Sequence, residues 1–549
     1  MSLKPEADFE IPEQTAEIAQ AAFPKGNTYM RMRDELGVIF KDEHFEALYP
    51  RRGQPAEAPW RLALVTVMQF AENLTDRQAA DAVRSRIDWK YALGLELVDE
   101  GFNYSVLSEF RSRLVEGEAI HLLFQRMLTV FAERGLLKVR GPQRTDSTHI
   151  LAAVRVLNRL ELIGETLHHT LNVLAQVAPD WLRAQVPDDW FERYGQRFTE
   201  HRLPKKEQDR LTLAETIGQD GIHLLTWIYV ENVPTFLREI PAVDLLRQVW
   251  VQNFYLEDEV VHWRGEGNLP PANLRIISPY DPEARSSSKR ETYWSGYKVH
   301  LTETCDPEAP NLITNVETTI STQQDNMVVD HIHRTLQEQQ TLPNRHIVDA
   351  GYVSADLLVE SEEEYGIDLL GPVRPDVSWQ ARDENAFDIT KFSIDWDNEV
   401  VICPLGRPSR YWGPAKGPRG QPTIQVQFRK SDCLACAARA RCTRSKSSPR
   451  GLTLQPRKRQ LALQTARERE KTQDFKEQYA VRAGVEGTIG QAVDKLAMRR
   501  SRYRGIAKTH LQHVMTAAAM NLLRVMAWLA ETPRSRTRVA PFAALAAPV

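Results

Sequence analysis

Cysteine is scarce in this chain, with five residues among 549. Small secreted proteins held together by disulfides use cysteine much more densely, so a disulfide scaffold is excluded. The N-terminal segment also lacks the order of basic, apolar and small residues that marks a secretory signal. We therefore expect a cytoplasmic protein.

Long uncharged apolar runs are missing as well. A membrane span needs about 18 or more consecutive apolar residues, and the nearest candidate, 514–530, contains Asn521 and Arg524. We predict a buried helix there and no membrane partner. Hydrophobic residues make up 42% of the chain and charged residues 26%, which is typical of soluble globular proteins of two to four domains at this length.

Acidic residues are absent between Lys495 and Ala530, although the whole chain carries a net charge of −3. The basic residues of this stretch are Lys495, Arg499, Arg500, Arg502, Arg504, Lys508 and Arg524. A second basic stretch lies within 439–459. Positive charge segregated in this way can bind phosphate while the chain stays nearly neutral. We predict contacts with a nucleic-acid backbone at the first stretch, and the alternative is a solvated helix face.

The N-terminal part of the chain divides into an arm and a helical region. Residues 1–27 are polar without clear periodicity, so an extended arm is expected. Residues 28–135 have helical periodicity, and Pro59, Thr75 and Ser105 suit helix starts. A helix-turn-helix unit that binds DNA is the prediction. A small bundle used for dimer contacts is the alternative.

The remainder predicts a mixed α/β sheet interrupted by two insertions. Strand-like runs lie within 136–146 and at 293–304, 312–320, 345–349 and 367–373, with a helix expected over 325–336. Residues 155–270 are helical and far longer than a loop, so we predict an insertion. Residues 375–455 form a second, cysteine-rich insertion with short strands at best. Residues 456–530 are helical, and 531–549 are expected to be a disordered tail.

Three acids, far apart in the sequence, suit catalysis by bound metal. Asp146 is expected near the end of a strand, and Asp349 at the end of a buried strand, where sites in α/β sheets gather. Glu486 follows Tyr479 and Arg482 with spacings that put all three on one helix face. Carboxylates that converge can hold Mg²⁺ or Mn²⁺, and Arg482 can pair with a phosphate. The alternatives are turn or capping residues and a surface ion pair.

Four of the five cysteines fall within 40 positions: Cys403, Cys433, Cys436 and Cys442. A pair spaced Cys-x2-Cys suits tetrahedral Zn²⁺, and four thiolates make a closed structural site. The first spacing is longer than that of a standard zinc ribbon. Structural zinc is the prediction, with buried free thiols or a redox role as alternatives.

Six blocks of sequence, in their order along the chain, resemble the DDE transposases of bacterial insertion sequences, in particular the eleven-eighty-two-type family. The blocks are FPKGN (23–27), SRIDWKY (85–91), QRTDSTH (143–149), WSGYKVHLTE (294–303), HIVDAGY (346–352) and RRSRYRG (499–505). The resemblance implies a ribonuclease-H-like catalytic core over 136–374 and 456–530. It also implies a two-ion site formed by Asp146, Asp349 and Glu486.

The same resemblance implies a function and several further roles. The expected reaction is metal-dependent cleavage at the ends of a mobile element and strand transfer into target DNA. Double-stranded DNA is then the partner, bound by a homodimer in the nucleoid. Lys298 would contact a phosphate and His300 would position water or the first Asp, although both could equally pair with nearby acids. Relatives carry a Lys seven positions after the Glu, where this chain has Val493, so either Lys495 substitutes or that contact is absent.

Two other functions fit the same residues. One is an inactive relative that only binds DNA, and the other is a metal-dependent nuclease that cuts without joining. A metallohydrolase acting on other substrates is disfavoured because no His-Glu-x-x-His motif occurs.

Overall fold

The computed structural model describes residues 2–5, 9–231, 233–289, 291–418, 420–533 and 542. It is a mixed α/β structure, about half helical, around a curled mixed sheet. Most of the tail predicted at 531–549 lies outside the described residues. Among the described residues, no helix has the length and apolarity needed to cross a membrane.

Seven helices form the N-terminal region: α1 Glu13–Ala22, α2 Thr28–Leu36, α3 Pro59–Ala71, α4 Asp76–Ser85, α5 Ile87–Leu93, α6 Ser105–Glu116 and α7 Leu122–Glu133. The predicted starts are met, since Pro59 begins α3 and the Thr75 side chain caps α4. The expectation of an extended arm before residue 28 is wrong at α1. That helix is too short for its periodicity to stand out, and it docks through Ala19 and through a hydrogen bond from Thr15 Oγ1 to the Leu95 carbonyl (2.8 Å).

The central sheet has six strands: β1 Gln143–Leu151, β4 Arg285–Lys289, β5 Thr292–Thr304, β6 Ile313–Ile320, β7 Arg345–Ile347 and β8 Asp368–Leu370. Strand β5 pairs antiparallel with β1, β4 and β6, whereas β7 runs parallel to β1 and to β8. Helices α13 Val329–Glu338 and α14 Ala355–Tyr365 follow β6 and β7. The strand predicted to end near Asp146 instead continues to Leu151, because the residues that follow Asp146 still pair with β5.

The helical insertion between β1 and β4 folds around its own apolar core. Its elements are α8 Arg159–Val177, α9 Pro179–Gln185, α10 Asp188–Tyr194, α11 Glu207–Tyr229, α12 Pro241–Asn253, β2 Phe254–Glu257 and β3 Val260–Trp263. The hairpin formed by β2 and β3 was not predicted. Its turn residues, Asp258 and Glu259, have positive φ without the glycine or asparagine that usually signals such a turn.

The cysteine-rich insertion after β8 is more regular than predicted. Its elements are α15 Trp379–Arg382, β9 Ser393–Asp395, β10 Val400–Ile402, β11 Ser409–Lys416, β12 Pro422–Phe428, α16 Lys430–Leu434, α17 Arg439–Cys442 and β13 Gly451–Leu454. Strands β11, β12 and β13 form an antiparallel sheet, and β9 pairs with β10. A compact cluster of six buried residues, including Val401, Val426 and Leu454, holds these two sheets together.

The chain ends in helices α18 Arg457–Glu470, α19 Gln473–Ala480, α20 Gly484–Asp494 and α21 Ile506–Leu529. Helix α21 is buried in one apolar core together with β5, β6 and the N-terminal helices. The Asn521 and Arg524 side chains have specific partners there. Asn521 exchanges two hydrogen bonds of 2.8 Å with the backbone of Ile313, and Arg524 pairs with Glu303 (2.8 Å). The predicted buried helix is therefore confirmed.

We expect Gly221→Ala to destabilise the helical insertion. A Cβ at Gly221 would lie 2.2 Å from the Trp250 ring, and overpacking of this kind costs about 1–3 kcal/mol. The control is Gly490→Ala, another helical glycine, where a Cβ meets open space. That change should stabilise its helix by about 0.5–1 kcal/mol. Urea unfolding followed by tryptophan fluorescence measures both, and equal effects would contradict the packing argument.

Candidate active site

Asp146, Asp349 and Glu486 come together at one open cavity of about 720 Å³. They belong to three separate parts of the fold: strand β1, the loop after β7, and helix α20. Lys298 and Arg482 line the same cavity. The structure thus brings together acids that are 203 and 137 positions apart in the sequence (349 − 146 and 486 − 349).

Asp146 lies within β1 and is largely enclosed, with 16% of its side chain exposed. Its Oδ1 accepts a hydrogen bond from the Ser147 backbone N–H (2.7 Å). Its Oδ2 accepts one from the Arg482 guanidinium (2.7 Å). Pairing of β1 with strands on both sides therefore fixes the backbone that carries this carboxylate.

Asp349 follows β7 by two residues, in a tight loop. Its Oδ1 accepts a hydrogen bond from the Gly351 N–H (2.7 Å). A Cβ at Gly351 would lie 2.9 Å from that oxygen and 3.1 Å from Asp325 Oδ2, so a larger residue there would displace these carboxylates. Burial raises the pKa of Asp349, and the Asp146 and Asp325 carboxylates raise it further, against the lowering effect of the Gly351 hydrogen bond and of Arg482. Negative charge is therefore crowded at this position.

Tyr479, Arg482 and Glu486 are close in space, although not on one helix as predicted. Helix α19 ends at Ala480, a 3₁₀ turn spans Val481–Ala483, and α20 begins at Gly484. The predicted spacing of the three side chains is kept because the backbone between the two helices stays in helical conformation. Arg482 lies 3.2 Å from Glu486 Oε1 and 5.8 Å from the centre of the Tyr479 ring.

Arg482 therefore bridges two of the three acids. Partial burial is the largest single influence and lowers the pKa of its guanidinium, but the charge and hydrogen bond of Asp146, together with the charges of Tyr479 and Asp349, raise it, and the net direction is upward. Asp146 is the nearer partner at 2.7 Å, and Glu486 is far more exposed, with 65% of its side chain accessible. The Arg482 guanidinium thus offsets the negative charge of Asp146 and Glu486 in this structure.

Glu303, which the sequence reasoning missed, positions α20. This carboxylate has no exposed surface and accepts hydrogen bonds from Arg144 Nε (2.8 Å), Thr488 Oγ1 (2.6 Å) and Arg524 (2.8 Å). Arg144 also donates to the Val481 carbonyl (2.5 Å). The partners of Glu303 lie 159, 185 and 221 positions away in the sequence, so no local pattern could have revealed this network.

Lys298 and His300 have different surroundings. Lys298 lines the cavity and pairs with Asp325 Oδ1 (2.8 Å), a fourth acid that the sequence suggested only as a helix start. His300 is fully buried, with its Nδ1 2.6 Å from the Tyr352 hydroxyl, and burial lowers its pKa to about 3. His300 is therefore not placed to contact DNA. It supports the Asp349 loop through Tyr352.

The donor atoms at this cavity suit a hard divalent cation, because three carboxylates and nearby Asp325 supply only oxygen ligands. Among the described residues, however, no three His, Cys, Asp or Glu side chains are grouped in a way that could hold an ion. Arg482 explains part of this, since its guanidinium lies between Asp146 and Glu486.

Comparison with protein families gives two matches. Residues 17–113 match a family described as a transposase domain (DUF772), and residues 402–526 match one described as a transposase DDE domain. The two matches indicate a transposase. The first begins within α1, covers α2–α5 and ends within α6, and the second includes Tyr479, Arg482 and Glu486. No curated protein and no solved structure gave a significant match.

Five of the basic residues predicted to contact DNA fall into two groups: Lys495, Arg499, Arg500, Arg502 and Arg504. Lys495, Arg500 and Arg504 are exposed. Arg499 donates to Thr148 Oγ1 (2.8 Å), and Arg502 donates to the Leu74 carbonyl (3.0 Å), so both hold the fold together. Only the exposed group has its charge available to a partner in this conformation.

The arginines of the N-terminal helices also differ in whether their charge is paired within the fold or exposed. Arg111 is buried against Asp76 (2.5 Å), and Arg86 pairs with Glu72 and Asp88 (2.6 Å each). Arg84 remains largely exposed, with 58% of its side chain accessible. A helix-turn-helix surface in this transposase would therefore have fewer free cations than its sequence suggests.

The four clustered cysteines also come together, around a separate cavity of about 510 Å³. Cys305 is elsewhere, buried near Ile347 and Leu370. All five are free thiols in this structure.

We expect Asp349→Asn to raise the thermal stability of the metal-free transposase at pH 7. The raised pKa means that the charged form of Asp349 destabilises the folded state at pH values above that pKa. Asparagine removes the charge and keeps an oxygen for the Gly351 N–H. The difference from wild type should shrink as the pH falls toward about 4, where the carboxyl is protonated in the unfolded chain as well.

Melting temperatures in EDTA from pH 4 to 8 test this. Asp146→Asn is the matched control and should be less stable than wild type, because it weakens the ion pair with Arg482. If both substitutions changed the melting temperature in the same direction, crowding of negative charge would not be what distinguishes Asp349.

Proposed function

We propose that this protein is a DDE transposase that cleaves DNA at the ends of a mobile element and transfers the freed strand into target DNA. The observation that carries the proposal is the meeting of Asp146, Asp349 and Glu486 at one cavity, from three distant parts of the sequence. The two transposase-domain matches supply the substrate class. Asp146 and Asp349 lie outside both matches, so their assignment depends on this geometry.

The topology of the sheet supports a ribonuclease-H-like core. The path β6, β5, β1, β7, β8 begins with antiparallel pairs and ends with parallel ones. Along the chain, β1, β4, β5 and β6 come first, and helices then alternate with β7 and β8. This is the pattern that the sequence resemblance implies. Asp146 lies in the central strand of that path, and Asp349 follows its immediate neighbour.

Asp146, Asp349 and Glu486 would hold Mg²⁺ or Mn²⁺. Two such ions stabilise both the attacking and the leaving oxygen in a phosphoryl displacement. Arg482 must leave Asp146 and Glu486 for this to happen, and its planar guanidinium is then free to pair with a DNA phosphate through two hydrogen bonds. Tyr479, beside Arg482, would contact the same phosphate or stack on a displaced base.

The reaction has two displacements. In the first, a water oxygen forms a bond to phosphorus and the bond from phosphorus to the 3′ oxygen breaks, which leaves a 3′-hydroxyl and a 5′-phosphate. In the second, that 3′-hydroxyl forms a bond to a phosphorus of the target DNA, and the displaced 3′ oxygen takes up a proton. Lys298 lies at the cavity and would help to orient the DNA backbone.

Contacts outside the cavity would hold the duplex. Lys495, Arg500 and Arg504 are exposed in a stretch without acids, so they can neutralise phosphates. Two element ends must be joined together, which makes a homodimer on DNA the expected assembly. The protein would act in the cytoplasm, at the nucleoid.

Cleavage of a labelled duplex that carries the flanking element end, with Mg²⁺ or Mn²⁺, tests the proposal. Asp146→Asn, Asp349→Asn and Glu486→Gln should each reduce the cleavage rate by roughly 10²-fold or more, the scale on which loss of one electrostatic group in a transition state acts. DNA binding should survive in all three. Glu338→Gln, an exposed acid at the end of α13, is the control and should cut normally.

Three results would change the assignment. Binding without cleavage by the wild type would favour an inactive DNA-binding relative. Cleavage without joining to a target duplex would favour a nuclease. Normal cleavage by any one of the three variants would remove that residue from the site.

The salt dependence of DNA binding tests the exposed cations separately. If Lys495, Arg500 and Arg504 each contact one phosphate, replacing all three with alanine should lower the slope of log K against log salt by about 2.7, at about 0.9 for each phosphate. Replacing Arg183, Lys205 and Lys206, which are exposed on the helical insertion, is the charge-matched control. Equal slopes for the two triple variants would contradict the assignment.

A further inference from the structure

The cysteine-rich insertion brings four thiols to one place from two distant segments. Cys403 follows β10, whereas Cys433, Cys436 and Cys442 lie in and around the short helices α16 and α17. All four line the 510 Å³ cavity. Cys403, Cys433 and Cys442 also pack against the small apolar core of the insertion.

Backbone hydrogen bonds shape the turn that carries Cys403. The Gly406 N–H donates to the Cys403 carbonyl (2.8 Å), and the Cys403 N–H donates to the Arg407 carbonyl (2.9 Å). The Arg407 N–H also donates to Cys403 Sγ (3.4 Å). Gly406 has φ of +75°, which favours glycine at this turn. An N–H directed at sulfur stabilises a thiolate more than a thiol, since the acceptor then carries charge.

Positive charge surrounds the same thiols. Arg407, Arg439 and Arg450 line the cavity, against one acid, Asp432. The Nε of Arg450 is buried, and no hydrogen-bond partner meets it among the described residues. A buried guanidinium with an unmet donor calls for a nearby anion, because leaving such a group unpaired is costly.

Arg439 stabilises the loop that surrounds the thiols. Its guanidinium donates to the carbonyls of Cys433 (2.9 Å), Ser445 (2.8 Å) and Ser448 (3.0 Å).

We infer that Cys403, Cys433, Cys436 and Cys442 bind one structural Zn²⁺ ion. Four thiolates and Zn²⁺ carry a net charge of −2, which the surrounding arginines offset. Such closed sites contribute directly to folding, and the insertion has only a small core to support two sheets. In the metal-free conformation the thiols are not grouped tightly enough for coordination, so binding draws their side chains together across the cavity.

This inference is independent of the proposed transposase activity. The ion would connect the β9–β10 hairpin to α16 and α17, far from the carboxylates in sequence. Its loss would loosen the insertion without removing any residue from the acidic cavity.

Metal content of the purified full-length protein is the first test. We expect about one zinc per chain by elemental analysis. Exchange for Co²⁺ should give the thiolate charge-transfer and visible bands of a tetrahedral sulfur site. Before chelation, a thiol reagent should modify Cys305 at most, and after chelation it should modify the other four as well. Free reactivity of all four thiols without zinc, or disulfides among them, would overturn the inference.

Single substitutions make the test residue-specific. Cys436→Ser should abolish stoichiometric zinc and the cobalt bands, whereas Cys305→Ala, the matched control outside the cluster, should retain both. If Cys436→Ser is insoluble, the wild-type thiol titration before and after chelation still decides the matter. Zinc retained by Cys436→Ser with unchanged cobalt bands would also overturn the inference.

Discussion

The placement of helix α20, which carries Glu486, depends on one buried carboxylate. Glu303 lies in β5 with no exposed surface, and it connects Arg144 of β1, Thr488 of α20 and Arg524 of α21. A buried charge is tolerated only when its partners are all in place. The network therefore forces α20 against the centre of the sheet. Glu486, two residues before Thr488, is brought to Asp146 by that constraint.

Charge at the cavity is balanced by two basic side chains. In this structure Arg482 is the cation that offsets Asp146 and Glu486, and Lys298 does the same for Asp325. Divalent ions would compete for these carboxylates and would release the guanidinium toward the DNA backbone. One side chain would thus couple metal binding to phosphate binding, because it cannot serve both partners at once. Asp349 forms no ion pair with any described residue, so a bound ion would supply the cation that this acid lacks.

Much of this arrangement could be predicted from the sequence, but the contacts could not. Periodicity and capping residues located α3, α4 and α6, and the apolar runs located β5 and β6. Asp146 and Asp349 could be nominated because of the sequence blocks around them, and Glu486 because of its spacing from Tyr479 and Arg482. The pairing of Arg499 and Arg502 with backbone carbonyls was hidden, since an exposed and a buried arginine look alike in sequence. The role of Glu303 was hidden for the same reason, as its partners come from 159, 185 and 221 positions away.

The two long gaps between the acids are filled by units with cores of their own. The helical insertion lies between Asp146 and Asp349, and the cysteine-rich insertion lies between Asp349 and Glu486. The entropic cost of closing a loop rises only slowly with the length of the loop. An insertion that folds around its own core also brings its two ends together without using contacts of the sheet. The register of β1 with β5 and β7 is therefore set by the sheet and its helices alone. Changes within either insertion should alter what the protein contacts more readily than the geometry of its carboxylates.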